Sequence, residues 1–104
     1  MKKLSLIAAT AIVSLLSANS ALANQDLAQK RNCLSCHALD KKIVGPAYKD
    51  VAAKYAKDKD AVTKLAEKIQ KGGSGVWGPL PMPPNTTVTP EEAKTLAKWV
   101  LTIK

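Results

Sequence analysis

The chain predicts an all-α domain, on three observations. Val62, Leu65, Ala66 and Ile69 fall at i, i+3, i+4 and i+7, and Ala93, Leu96, Ala97, Val100 and Leu101 repeat the stripe near the C-terminus. Thr89-Pro90-Glu91-Glu92 combines an N-cap, a proline at the first helical position and a capping-box glutamate. No stretch alternates β-branched and polar residues as a half-buried strand would.

The elements follow in order. Gln25 to Asn32 are good helix formers that Asn24 can cap, with Leu27 and Ala28 on the buried side, and this short helix is expected to run into the Cys33–His37 segment. Ala38 to Val44, then Gly45-Pro46, read as a loop. A second helix is expected from Ala47 to about Lys57, presenting Val51, Ala52 and Tyr55. A third begins with Asp60 as its cap and ends at Gly72-Gly73. Gly72 to Val88 is a 17-residue connection, and the fourth helix follows Thr89.

The N-terminus stands apart. Met1-Lys2-Lys3, the apolar run Leu4 to Leu16 and the sequence Ala21-Leu22-Ala23 have the three parts of a secretory signal peptide, so residues 1–23 are expected to be cleaved. An uncleaved anchor is the alternative, but the run falls short of the about 20 residues a membrane-spanning helix needs. Residues 24–104 remain, one small domain of 81 residues, a size at which natural proteins recruit a staple to supplement the core. Without Lys2 and Lys3 the 16 basic residues become 14 against 8 acidic ones, a net charge of +6. An exported chain meets little nucleic acid and its lysines are scattered, so the charge points to an acidic protein partner; a merely solvated surface is the alternative.

Cys33-Leu34-Ser35-Cys36-His37 is the C-x-x-C-H attachment sequence for a c-type haem. Residues three and four apart share a helix face, so both thiols can reach one haem edge while His37 points at the iron. The chain has 2 Cys and 1 His, too few for a structural zinc site. A thioredoxin-like pair would want a βαβ setting, and a disulfide closing so short a loop would staple little. A thiol–disulfide function is therefore the weaker alternative.

The Gly72–Val88 connection is longer than the about 12–15 residues usual for a structureless loop, and its glycines followed by prolines suit a turned, stiffened functional segment. At its centre Met82 lies between Pro81 and Pro83. After signal cleavage Met82 is the only methionine and His37 the only histidine, which excludes bis-histidine ligation within one chain and makes the Met82 thioether the expected second axial ligand. The alternative is a core gap-filler.

Four segments, Cys33 to His37, Val44 to Ala52, Gly75 to Asn85 and Ala97 to Leu101, together resemble the short bacterial class I cytochromes c of the cytochrome c-551 type, over essentially all of residues 24–104. The resemblance implies about four helices wrapped round one covalently attached haem, with the terminal helices crossing. It implies that the Pro46 carbonyl accepts from His37, that the Asn85 amide donates to the Met82 sulfur, and that Trp77 donates to a haem propionate. Lys68 would sit near a propionate, where a relative can carry Arg, and Ala28 stands where a relative can carry an aromatic residue. With both axial positions filled by protein, no site is left for oxygen or peroxide.

The implied function is a monomeric, periplasmic one-electron carrier, not an enzyme, with no nucleic-acid partner and no stable membrane insertion. It would take electrons from a quinol-oxidising complex and pass them to a terminal reductase or oxidase such as cytochrome cd nitrite reductase. The haem edge would emerge near Leu34, Val44, Pro79, Leu80, Pro81, Pro83 and Pro84, with Lys30, Lys41, Lys42, Lys49 and Lys71 around or behind this patch. Rivals are a haem enzyme or gas sensor, which needs Met82 off the iron, and a thiol–disulfide oxidoreductase.

Overall fold

The structure, a computed structural model, describes residues 24–104; the expected signal peptide lies outside them. The order is helix α1 (residues 24–30), a 3₁₀ turn (Cys33–Ser35), α2 (Tyr48–Lys54), α3 (Ala61–Lys71), strands β1 (Gly73–Gly75) and β2 (Gly78–Met82), and α4 (Pro90–Val100). The domain is mainly helical, as expected.

Helix α4 is the spine. Its capping box is complete: the Glu92 N–H donates to Thr89 Oγ1 and the Thr89 N–H to Glu92 Oε1, each at 3.1 Å. Its apolar face buries Ala93, Leu96, Ala97, Trp99 and Val100, and it packs against both α3 and α2. Ala28 of α1 is fully buried in the same cluster, together with Tyr48, Val51, Ala66 and Val88. Ala28, Ala93 and Ala97 have essentially no exposed surface, so this core is built in part from small side chains.

Two boundaries differ from expectation. The first helix stops before the cysteines, because Asn32 takes the left-handed conformation (φ 63°), which Asn tolerates better than most residues. Helix α2 ends at Lys54 rather than near Lys57. The Asp58 carboxylate beyond it accepts from the Asp60 N–H at 2.8 Å, a local turn that competes with continued helix. Asp60 does occupy the N-cap position of α3 but makes no side-chain capping bond.

The connection after α3 is not strand-free. Gly73 pairs with Met82 and Gly75 with Gly78 in an antiparallel hairpin with an irregular register, turning at Val76-Trp77. Glycines and prolines hide such a strand from pattern reading, since neither favours sheet. Gly72, Gly73, Gly75 and Gly78 all have positive φ, the conformations this winding path demands.

Candidate functional site

The Cys-His segment forms one tight turn. The Cys36 N–H donates to the Cys33 carbonyl at 3.3 Å and the His37 N–H to the same oxygen at 3.0 Å, so both cysteines and the histidine project from about one turn of backbone. The cysteines are free and half-buried. Burial pushes the Cys33 thiol above its ordinary pKa. Burial first, then the neighbouring Cys33, pushes the Tyr48 phenol far up as well.

His37 is held from three sides. Its Nδ1 lies 2.8 Å from the Pro46 carbonyl oxygen, which can only accept, so Nδ1 carries a proton and, in the neutral ring, the lone pair is on Nε2. The ring stacks on Tyr48 with centroids 4.8 Å apart, and Tyr48 meets Trp99 of α4 edge-on at 5.7 Å. Gly45 lies against the ring: a methyl group there would overlap Cε1 and come 2.8 Å from Nδ1. The N–H groups of Val44 and Gly45 both donate to the Cys36 carbonyl, at 3.1 and 2.8 Å, which folds the Gly-Pro loop back over the turn.

Met82 arrives from a separate element, as the half-buried last residue of β2. Its backbone is wedged against Gly72, where a Cβ would overlap the Met82 carbonyl oxygen. Asn85 anchors the far side of the loop: its Nδ2 donates to the Ile69 carbonyl at 2.8 Å and its backbone N–H to the same oxygen at 3.2 Å. The structure thus places one Asn85 amide proton on α3, not on Met82, and the second remains available. Trp77 sits at the hairpin turn, 44% exposed, with Lys54 Nζ 5.6 Å from its ring centroid. Lys68 lies half-buried on α3 with its ammonium beside Gly73.

The donor set fits a c-type haem. Two thiols and an imidazole occupy one turn, a glycine clears the imidazole, and a thioether stands at the end of β2, on a separate element. Cys33 and Cys36 would carry it covalently and His37 would ligate its iron. The sequence pattern points to the ligand candidates but not to Gly45, Tyr48 or the Ile69 carbonyl as their supports. Gly45 reads only as part of a Gly-Pro loop, and neither Tyr48 nor the Ile69 carbonyl carries a sequence signal for its contact.

Comparison with known proteins shows what the whole chain is similar to. A family model for cytochrome c matches residues 21–104. The chain is 57% identical to cytochrome c-552 of Nitrosomonas europaea, covering 88% of each chain. It is 50% identical to cytochrome c-551 of Pseudomonas aeruginosa, covering 90% of this chain and 96% of that one. The crystal structure of wild-type Nitrosomonas europaea cytochrome c552 superposes with a TM-score of 0.75 at 59% identity, over 77% of this chain and 99% of that one.

Proposed function

Because this chain belongs to the cytochrome c family, as an electron carrier close to cytochromes c-551 and c-552 and not an enzyme, we propose that it is a periplasmic one-electron shuttle whose iron is held between His37 and Met82. The observation that carries the reading is the 2.8 Å contact from His37 Nδ1 to the Pro46 carbonyl. It fixes the tautomer and aims Nε2, the role an oriented partner plays behind a metal-bound imidazole.

When bound, the haem supplies a ferric/ferrous couple. The chain's own residues do the rest. Cys33 and Cys36 form the thioethers that keep the group on the chain. Met82 offers the soft second ligand, and the second Asn85 amide proton can orient its sulfur. The Trp77 indole N–H and the Lys68 ammonium are the donors for the propionates. Residues 1–23 direct export and are removed. A quinol-oxidising complex is the donor, and a terminal reductase or oxidase such as cytochrome cd nitrite reductase the acceptor. Among the described residues no helix is long and apolar enough to cross a membrane.

Three measurements test this. Acidic organic solvent should leave one haem on each chain, and complete extraction would overturn the attachment. Met82→His should lower the reduction potential by about 100–200 mV, or about 2–5 kcal/mol at ~59 mV per decade, because a second imidazole stabilises ferrous iron less than a thioether does. An unchanged potential in a folded variant removes Met82 from the iron. Loss of electron supply to one reductase in a deletion strain would identify the acceptor.

A further inference from the structure

Lys54 is the last residue of α2, 23 residues before Trp77 in the sequence, yet its ammonium lies 5.6 Å from the Trp77 ring centroid. The hairpin that carries Met82 is anchored unevenly. Its base is tied down by the two Asn85 bonds to Ile69, by Gly72 against the Met82 carbonyl and by the Lys68 ammonium beside Gly73. At the tip, Gly75 and Gly78 have no protein atom within 4 Å of where a Cβ would stand, and Val76 and Trp77 are 46% and 44% exposed. Strands β1 and β2 pack mainly on each other. A cation over an indole face is attractive, and here it joins α2 to the tip, beside the propionate bond proposed for the Trp77 indole.

We propose that Lys54 is a positioning residue that pins the Trp77 tip of the hairpin and so restrains β2 from swinging Met82 away from its ligating position. The inference rests on the reading of Met82 as the second axial ligand. Lys54 touches neither the iron site nor Met82; it acts through Trp77 and the short strand that follows.

Imidazole added to the ferric holoprotein reports this directly, since it can bind the iron only while Met82 is displaced, and its apparent affinity is scaled by the displaced fraction. Lys54→Gln should tighten imidazole binding two- to fivefold, the range that about 0.5–1 kcal/mol of exposed cation–π attraction gives at 1.4 kcal/mol per decade. Lys54→Arg should restore the wild-type affinity. With Trp77→Leu in the background, Lys54→Gln should have no further effect on imidazole affinity, and in urea Lys54→Gln should change the unfolding constant by no more than the same two- to fivefold. Met82→Ala separates the two readings. If the wild type binds imidazole no more weakly than Met82→Ala, Met82 is not the ligand and the inference falls with it. If Met82→Ala binds far more tightly but Lys54→Gln matches the wild type, or is equally effective with Trp77 absent, the positioning role alone is overturned.

Discussion

Gly45 contributes a missing side chain, and His37 occupies the space. The contact is steric and not conformational, since the clash is between a would-be methyl and the imidazole. Gly45→Ala should therefore push the ring off the Pro46 carbonyl and cost about 1–3 kcal/mol, as overpacking of a tight site does. Urea unfolding of the ferric protein should show the loss, together with a lower yield of holoprotein during maturation. A wild-type midpoint would mean that the ring can move at no cost. At Gly72 a substitution meets both penalties at once, a positive φ of 69° and the Met82 carbonyl.

At the scale of the element, α4 is capped and cross-linked by the same carboxylate. Glu92 closes the capping box on Thr89 and also takes a 2.9 Å ion pair from Arg31, just beyond α1. The Arg31 guanidinium, followed by the Thr89 backbone N–H, holds the Glu92 carboxyl below its ordinary range. A carboxylate depressed on folding stabilises the protein above its unfolded pKa, and that contribution is lost as pH falls through the folded value. Glu92→Gln keeps the capping geometry but removes the charge. It should lower the unfolding temperature near neutral pH and converge with the wild type as pH falls through the depressed value of the Glu92 carboxyl. Two parallel curves across that range would show that the charge is irrelevant. Arg31 Nε is buried without a partner, so losing Glu92 strands a guanidinium already incompletely bonded. Thr89→Ala removes the cap itself and should cost about 1 kcal/mol, or about 4–8 °C for a domain of this size, at every pH.

Across the whole molecule, charge and apolar surface are segregated. Residues 72–90 contain no charged side chain in an otherwise basic chain. Leu80 in that stretch is 65% exposed, the prolines at 79, 81, 83 and 84 are exposed, and Val44 is 48% exposed. Pro79 and Pro81 remove two of the five N–H groups of β2, which discourages another strand from adding to it. The surface therefore suits brief docking better than stable association. Lys71 is already paired with Glu67 at 3.3 Å, so Lys41 and Lys42, exposed beside Val44, are the informative pair for steering. Reversing both to Glu should slow second-order electron transfer at low salt and matter little at ~0.15 M, where the Debye length is about 8 Å. Leu80→Glu should slow it at every ionic strength, because it places a charge in the contact itself. Silent lysine reversals at low salt would leave the basic surface a solubilising role only.

The amino-acid sequence by itself determined the attachment turn, the four helices, the cap of α4 and the candidate ligands His37 and Met82. These depend on residue types at fixed short spacings, where backbone geometry leaves few choices. Only the tertiary structure decided what surrounds them. The end of α1 depends on Asn32 entering a left-handed conformation, and the early end of α2 on Asp58 capturing the Asp60 N–H. The hairpin is written in glycines and prolines, whose sequence signal is for turns; its pairing exists because Asn85 and Gly72 lock its base to α3. Gly45 beneath His37, Tyr48 on its ring and Lys54 over Trp77 are contacts between segments distant in sequence or folded back on themselves. No local pattern encodes such a contact, because its energy is realised only when packing brings the two surfaces together.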